Sequence, residues 1–253
     1  MVSFDLRGRT ALVTGANVGI GQAIAIALAE AGADIVAASS SMSKTGAETL
    51  RAVEAHGRSF TGHDVDFSDP DAVRGFADRL VAEGPAIDTL VNNAGAIHRE
   101  PALTHSQEQW QRILDIDLTS QFVLTQVLGG AMVGRGFGRI VSIASMRVFQ
   151  GGEGVLGYTA SKAGLAGITR SFANEWSRHN VTANAVAPGY VATENTRVLQ
   201  EDQAAYQRIM DRIPIGRWAT PEDIAGAVVF LVGPAADYIT GVTLPVDGGW
   251  LVR

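Results

Sequence analysis

A glycine-rich turn near the start of the chain joins a short apolar run to a helical stretch. The apolar run is Thr10–Val13, the helical stretch is Gln22–Ala31, and the turn between them contains Gly15, Gly19 and Gly21. Strand, glycine turn and helix in this order predict a dinucleotide-binding unit, because glycines let the backbone approach a pyrophosphate at a helix N-terminus. The spacing is not the commoner Gly-x-Gly-x-x-Gly, so a plain strand-to-helix turn is the alternative. Its position after the first strand favours the dinucleotide site.

Apolar runs and helix-forming stretches alternate along the rest of the chain. This alternation predicts an α/β architecture, a single-domain Rossmann fold over residues 1–253 whose doubly wound, parallel, seven-stranded sheet carries helices on both faces. A polar, helix-prone insertion near 188–220 is predicted to be a substrate lid. The predicted strands are Thr10–Val13, Asp34–Ala38, Ser59–Val65, Ile87–Asn92, Arg139–Ile143, Val181–Val186 and Thr243–Val246. The predicted helices are Gln22–Ala31, Thr45–His56, one from Pro70, Gln107–Met132, Tyr158–His179 and one from Pro221.

Composition excludes several classes of protein. Of the 253 residues, 46 % are hydrophobic and 18 % are charged, which is enough apolar material for a large core. A net charge of −6 argues against nucleic-acid binding, and no apolar run is long enough to span a membrane. Without a signal-peptide segment, we expect a cytoplasmic location. The chain has no cysteine, and its histidines show no metal-ligand spacing, so no metal site is expected; they are His56, His63, His98, His105 and His179.

The candidate catalytic residues lie between Ser145 and Lys162. Tyr158 and Lys162 are four residues apart, so on a helix their side chains lie on one face. A free tyrosine is too weak an acid to exchange protons readily near neutral pH, and a neighbouring ammonium stabilises the phenolate. Ser145 follows an apparent buried strand, and open α/β sheets bind ligands at the carboxyl ends of strands. These residues predict proton transfer; two solvated residues on a helix are the alternative for the tyrosine and lysine.

The residues after the second predicted strand bear on the choice of nicotinamide cofactor. An acidic residue there would select NAD through the ribose 2′-hydroxyl, and a nearby arginine would suit NADP. Ser39–Lys44 contains neither, and Asn17 and Val18 stand where a basic residue could hold a 2′-phosphate. The sequence therefore favours NAD over NADP, although the clustered hydroxyls and Lys44 leave NADP open. Asp64, ending the third strand, is either an adenine contact or a turn residue.

Several motifs occur together in the order typical of one enzyme family. They are Thr14-Gly-x-x-x-Gly-x-Gly21, Asn92-Asn-Ala-Gly95, Ser145, Tyr158-x-x-x-Lys162 and Pro188-Gly189. On these motifs the chain resembles the short-chain dehydrogenase/reductases over essentially its whole length. The resemblance implies hydride transfer with a nicotinamide cofactor and a small-molecule substrate. It also implies a homotetramer built through the two long helices.

The resemblance implies a role for each matched residue. Tyr158 would be the general acid/base, Lys162 would support it and bind the nicotinamide ribose, and Ser145 would hold the reacting oxygen. Asn92, Ala94 and Gly95 would line the adenosine side, and Val191 with Thr193 would hold the carboxamide. With the glycine turn and the strand ends, the cofactor-binding set is Gly15, Asn17, Gly19, Ile20, Gly21, Ser39, Asp64, Val65, Asn92, Ala94, Gly95, Tyr158, Lys162, Pro188, Gly189, Val191 and Thr193.

One catalytic position departs from the family pattern. The family usually has an asparagine on the helix after the fourth strand, supporting the lysine through water, and Asp117 stands at the matching position. A carboxylate accepts hydrogen bonds but cannot donate as an amide does. It would also stabilise Lys162 as a cation and offset part of its effect on Tyr158.

Three functions remain open from the sequence. Several stretches are similar to family members that act on deoxy sugar acids of the 2-dehydro-3-deoxy-D-gluconate or 2-deoxy-D-gluconate type, for which Arg99, Arg147 and Gln150 are candidate substrate contacts beside Ser145 and Tyr158. A 3-oxoacyl-thioester reductase, or another sugar or alcohol dehydrogenase of the family, is the second possibility. A nucleotide-binding regulatory protein without catalysis is the third. The presence of Ser145, Tyr158 and Lys162 argues against it.

Overall fold

One seven-stranded parallel sheet runs through a computed structural model that describes residues 3–253. Its spatial order is β3-β2-β1-β4-β5-β6-β7. The order reverses between β1 and β4, so a crevice opens at the carboxyl ends of these two strands. The strands are Thr10–Thr14 (β1), Asp34–Ser39 (β2), Phe60–Asp64 (β3), Thr89–Asn92 (β4), Gly138–Ile143 (β5), Val181–Pro188 (β6) and Thr243–Val246 (β7).

Helices connect successive strands and cover both faces of the sheet. The helices are Gly19–Glu30 (α1), Met42–Thr45 (α2), Ala47–Ala55 (α3), Pro70–Glu83 (α4), Gln107–Leu114 (α5), Ser120–Arg135 (α6), Leu156–Trp176 (α7), Arg197–Glu201 (α8), Gln203–Met210 (α9) and Pro221–Val232 (α10). Helices α1 and α10 pack on one face, and α4, α6 and α7 pack on the other. Within residues 3–253 no helix is both long and apolar enough to cross a bilayer.

Successive side chains of the central strands pack alternately into two separate hydrophobic clusters, one on each face of the sheet. Ala11 and Val13 of β1 face the α1 and α10 side, whereas Leu12 between them faces the α4 and α6 side. All three are fully buried, as expected for a parallel sheet covered by helices on both faces. In the register of the sheet, Leu12 lies beside Leu90 of β4. The predicted doubly wound parallel sheet is therefore confirmed.

The long helix predicted over Gln107–Met132 is not continuous. It consists of α5 and α6, joined by a single π-helical turn over Asp115–Thr119. A π turn inserts one extra residue into the helix and rotates the side chains that follow it. The two ends of the helix thus agree with the prediction to within three residues, while the interruption is new.

The insertion predicted near 188–220 folds into two short helices, α8 and α9, after a 3₁₀ turn at Glu194–Thr196. Ile209 and Ile213 pack with Trp218 and Trp250 in a third hydrophobic cluster. Met146, just after β5, belongs to the same cluster. The insertion is therefore anchored beside the carboxyl ends of β5 and β6.

Candidate active site

The glycine turn between β1 and α1 has the backbone geometry that close approach to a phosphate needs. Gly15 and Gly19 have φ values of 64° and 58°, in the left-handed region that favours glycine. A Cβ atom on Gly21 would overlap the carbonyl oxygen of Gly15. Helix α1 begins at Gly19 and has no acidic residue in its first turn. The backbone N–H groups and the positive dipole end at its N-terminus could therefore bind an anion, because no acidic side chain of the first turn competes for them.

Thr14, the last residue of β1, ties the loop after β4 to the glycine turn. Its hydroxyl oxygen accepts hydrogen bonds from the backbone N–H groups of Asn93 (2.9 Å) and Ala94 (2.8 Å). The Asn93 side chain donates to the Thr14 carbonyl oxygen at 2.8 Å. These bonds fix the two loops that form the walls of the crevice between β1 and β4.

Lys162 lies buried below the crevice and contacts two oxygen atoms. Its Nζ donates to the Ile143 carbonyl oxygen at 3.1 Å and lies 3.3 Å from Oδ2 of Asp117. Burial alone would lower the pKa of Lys162, but the nearby Asp117 carboxylate, with a contribution from Tyr158, outweighs it and raises that pKa. Burial raises the pKa of the Asp117 carboxyl, against the opposing effect of the Lys162 ammonium. Lys162 is therefore held as a cation.

The π turn between α5 and α6 brings Asp117 to this position. The Asp117 side chain is completely buried, and its Oδ1 accepts a hydrogen bond from the Ala96 backbone N–H at 2.7 Å. A Cβ atom on Gly95 would lie 3.3 Å from both Asp117 Oδ2 and Lys162 Nζ. The glycine of the Asn-Asn-Ala-Gly motif therefore leaves just enough room for the carboxylate and the ammonium.

Ser145 and Tyr158 both line the cavity that lies in this crevice. Ser145 follows β5 by two residues, is 7 % exposed, and its hydroxyl oxygen accepts from the Arg147 backbone N–H at 3.2 Å. Tyr158 is the third residue of α7, and the Nζ of Lys162 one turn later lies 5.5 Å from the centroid of its ring. The arrangement thus provides two hydroxyl groups and a buried cation at one end of the cavity.

The cavity has a volume of about 450 Å³ and extends from the glycine turn to Ser145 and Tyr158. Most of the predicted site residues line it. These are Gly15, Asn17, Gly19, Ile20, Gly21, Ser39, Ala94, Gly95, Ser145, Tyr158, Lys162, Pro188, Gly189, Val191 and Thr193.

Seven of the predicted site residues do not line the cavity. One of the seven is Asp117, which contacts Lys162 but not the cavity itself. Of the cofactor candidates, Asp64 receives hydrogen bonds from the backbone and hydroxyl of Ser43, Asn92 donates to Thr125 at 2.7 Å, and Val65 is buried in the core. The hydrogen bonds to Asp64 favour its alternative interpretation as a turn residue.

The three candidate substrate contacts also lie outside the cavity lining. Arg99 donates to the Asn195 carbonyl oxygen at 3.3 Å, and Asn195 itself lines the cavity. Arg147 donates to the carbonyl oxygen of Gly151 at 2.6 Å, and Gln150 accepts from Arg212 at 3.4 Å. Arg99 is therefore at the rim of the site, one residue removed from it.

Sequence reasoning missed a further set of lining residues. They are Val18, Ser40, Asp66, Phe67, Ser68, Asn93, Ala96, Ile97, Arg112, Ile116, Ile143, Ala144, Glu194, Asn195 and Thr196. Most directly follow a strand or belong to the insertion, so continuing each predicted strand end by two or three residues would have found many of them. Arg112 and Ile116 come from α5 and the π turn, and no local motif indicates them.

A nicotinamide dinucleotide fits the chemistry of this cavity. The glycine turn and the N-terminus of α1 suit a pyrophosphate, since any side chain at Gly21 would overlap the backbone there. Lys162 is buried at the far end beside Tyr158, where a ribose hydroxyl and a reacting carbonyl or alcohol would need a cation and a proton carrier. The cavity thus suits the pyrophosphate in the middle of such a cofactor and the nicotinamide at one of its ends.

Comparisons with known protein sequences agree with this geometry. A family model described as enoyl-(acyl carrier protein) reductase matches residues 15–251. The chain is 50 % identical to the 2-dehydro-3-deoxy-D-gluconate 5-dehydrogenase of Bacillus subtilis, covering 99 % of this chain and 98 % of the relative. It is 38 % identical to a 3-oxoacyl-[acyl-carrier-protein] reductase of Escherichia coli, covering 97 % and 98 %.

A solved structure with bound NADP has the same fold. It is an Agrobacterium tumefaciens protein described as a proposed 2-deoxy-D-gluconate 3-dehydrogenase. It superposes with a TM-score of 0.93 at 46 % identity, covering 99 % of each chain. The match extends over the sheet, the glycine turn and the insertion.

Proposed function

The chain belongs to the short-chain dehydrogenase/reductase family, and from that premise we propose that it transfers a hydride between a nicotinamide cofactor and a hydroxyl or ketone of a deoxy sugar acid. The substrate class is of the 2-dehydro-3-deoxy-D-gluconate or 2-deoxy-D-gluconate type. Family membership makes the chain an NAD(P)-dependent oxidoreductase acting on CH–OH groups. The finer assignment of substrate rests on identity to the curated relatives over nearly the whole chain.

The observation that carries the proposed chemistry is the buried ammonium of Lys162 beside Tyr158, in a cavity that starts at a glycine turn. When bound, the nicotinamide cofactor supplies or accepts the hydride. Tyr158 donates a proton to the substrate oxygen during ketone reduction and removes it during alcohol oxidation. Lys162 stabilises the tyrosinate form, and the Ser145 hydroxyl donates a hydrogen bond to the same substrate oxygen. These roles use only groups that face one end of the cavity.

A substrate carboxylate needs a cation near the reacting end of the cavity. Arg99 contacts the wall of the cavity through Asn195, whereas Arg112 lines the cavity on the side of Asp66. We propose that Arg99 provides the positive potential that favours an anionic sugar acid. The segment with α8 and α9 would act as a lid, because Glu194 to Thr196 form one wall of the cavity.

The choice between NAD and NADP belongs to the same proposal. The sequence favours NAD, whereas the solved relative from Agrobacterium tumefaciens contains NADP. Ser39 and Ser40 line the cavity beyond β2, and none of residues 39–44 is acidic. Hydroxyl groups hydrogen-bond a 2′-phosphate, and the nearby Asp64 carboxylate is already occupied by hydrogen bonds from Ser43. We therefore propose that the enzyme accepts both cofactors.

The cytoplasmic location and the homotetramer both stay predictions.

The test is a steady-state assay that follows nicotinamide absorbance with NADH and NADPH and a deoxy ketohexonate. We expect turnover with both cofactors and a loss of about 10²–10⁴-fold in kcat/KM for Tyr158→Phe. The matched control is Tyr238→Phe, whose side chain is fully exposed, and it should keep wild-type activity.

Three results would overturn parts of the proposal. Turnover of an acetoacetyl thioester but not of the hexonate would favour the 3-oxoacyl-thioester reductase, for which 38 % identity to such an enzyme is the supporting observation. If fluorescence shows that the protein binds the cofactor but no ketone is turned over, the result would favour a nucleotide-binding regulatory protein without catalysis. A preference of more than about a hundredfold for one cofactor, about 2.7 kcal/mol, would contradict dual use.

A further inference from the structure

Three side chains with metal-ligand chemistry meet in the loop between β4 and α5. Single ligand atoms of His98, Glu100 and His105 all lie within 4.8 Å of one another. His98 Nε2 lies 2.9 Å from Oε2 of Glu100. The three residues do not line the dinucleotide cavity, so they form a separate cluster. Residue spacing gave no indication of it, because the loop brings together residues two and seven positions apart.

His105 has no hydrogen-bond partner for either ring nitrogen among residues 3–253, and both nitrogens are shielded from solvent. The ring packs edge-on between His98 and Trp110, with centroid separations of 5.6 and 6.5 Å. A buried imidazole nitrogen without a partner loses its hydration and gains nothing in exchange. The cluster therefore contains an unused donor atom facing an imidazole and a carboxylate.

We propose that His98, Glu100 and His105 bind one Zn²⁺ ion. Imidazole nitrogen and carboxylate oxygen are ligands that Zn²⁺ accepts, and three protein ligands leave a fourth position for water. Metal–ligand distances of about 2.0–2.2 Å place tetrahedral ligand atoms about 3.4 Å apart, so no separation within the cluster has to shorten by more than roughly 1.4 Å. The His98 and Glu100 side chains are 32 % and 27 % exposed, so this movement would not have to displace a closely packed core. This proposal departs from the expectation, drawn from residue spacing, that the histidines bind no metal.

The position of the cluster indicates what the ion would do. The backbone N–H of Glu100 donates to the Gly154 carbonyl oxygen at 2.9 Å, and a Cβ on Gly157 would lie 3.4 Å from His105 Nε2. Gly157 directly precedes Tyr158. The zinc would therefore fasten the loop after β4 against the start of α7, and it would stabilise one wall of the active site without touching the reacting atoms.

Zinc binding can be measured without any activity assay. Chelator-treated full-length protein is titrated with ZnCl₂ in a calorimeter, and bound metal is counted by elemental analysis after gel filtration. We expect about one Zn²⁺ per chain, together with visible absorption bands when Co²⁺ is used instead. We also expect a thermal midpoint that rises with Zn²⁺, since the ion binds only the folded chain.

Variants separate this site from surface binding. His98→Ala and Glu100→Gln, both partly exposed, should fold and weaken Zn²⁺ binding on the order of tenfold or more. His105→Asn should do the same. The control His56→Ala removes an exposed histidine outside the cluster and should bind as wild type. Substoichiometric binding by the wild type, or equal binding by all four variants, would overturn the proposal.

Discussion

At the scale of single residues, the pairing of Asp117 with Lys162 sets the chemistry of the site. An asparagine in the same place would leave the buried ammonium without a counter-ion. The carboxylate lies 3.3 Å from Nζ and raises the pKa of Lys162 against the effect of burial. The lysine thus stays charged further into the alkaline range. Part of its field at Tyr158 is cancelled by the carboxylate behind it.

Asp117→Asn should shift the pH dependence of the reaction. Removing the carboxylate takes away the charge that raises the pKa of Lys162, while the burial that lowers this pKa remains. Lys162 then loses its proton at a lower pH than in the wild type. We expect the alkaline limb of kcat/KM to move to lower pH, measured by steady-state assays across the neutral and alkaline range.

The matched control for this substitution lies two residues earlier. Asp115 belongs to the same π turn, but its carboxylate accepts a hydrogen bond from Gln111 at 2.9 Å. Asp115→Asn should leave the alkaline limb in place. An unchanged limb in Asp117→Asn as well would show that the carboxylate does not set the charge of Lys162.

The residues that could be predicted from sequence are those whose role depends on local spacing. Tyr158 and Lys162 lie on one helix face because they are four residues apart, independent of tertiary packing. The glycine turn can be recognised because its function depends on backbone that has no side chains in the way. Arg112 and the cluster of His98, Glu100 and His105 depend on how a loop and a helix pack in three dimensions. No periodic pattern contains that information.

At the scale of elements, helix α10 begins with a well-defined cap. Thr220 and Asp223 form a capping box, and Arg217 donates two hydrogen bonds to the Asp223 carboxylate at 2.6 and 2.8 Å. Arg217 lowers the pKa of Asp223 from 3.8 to about 2. The same contacts give this arginine, just before a proline-started helix, a structural role at the start of α10.

Asp223→Asn should therefore destabilise the protein in a pH-dependent way. The folded-state pKa is lowered, so the stabilisation is present above pH 3.8 and is lost as pH falls toward about 2. We expect a loss of about 0.5–2 kcal/mol in the free energy of unfolding at neutral pH, as is typical of helix caps. Urea unfolding at several pH values measures it. Glu222→Gln, in the same first turn, should have little effect, and an equal loss there would contradict the cap.

Strands and helices differed in how well their bounds could be predicted. Strand β5 was predicted to within one residue, because Ile140, Val141 and Ile143 give it the apolar character of a buried parallel strand. The break in the helix after β4 was not predicted, since one extra residue in a π turn changes the hydrophobic pattern very little. That turn nevertheless contains Asp117 and places its carboxylate next to the Lys162 ammonium.

At the scale of the whole molecule, aromatic side chains cover the outer face of α6 and α7. Phe122 is 37 % exposed and stacks on Phe172, which stacks on Trp176 at 4.4 Å between ring centroids. The Trp176 ring lies directly over Gly129, where a Cβ atom would overlap it. Stacked aromatic rings at the surface of two long helices suit the subunit contact that the family resemblance implies.

A homotetramer should give a mass of about 106 kDa by light scattering, four times the 26.6 kDa of one chain. Phe122→Asp should reduce this mass, because a charge in an apolar contact loses its hydration. Val81→Asp changes a side chain 49 % exposed on α4 and should leave the mass unaltered. A wild-type mass near 26.6 kDa would contradict the tetramer.

The spatial order of the sheet also has a consequence for synthesis on the ribosome. Strands β1 to β4 pair only with one another until β5 arrives beside β4, so the half with the glycine turn can assemble while translation continues. The opposite half waits much longer, because Trp250 packs against Tyr190 with ring centroids 4.8 Å apart. A nascent chain can therefore pair the strands beside its phosphate-binding turn early, but α1 stays uncovered until α10 is made, and the substrate side is completed last. In between, it exposes the unpaired edge of β4, a surface that chaperones protect from aggregation.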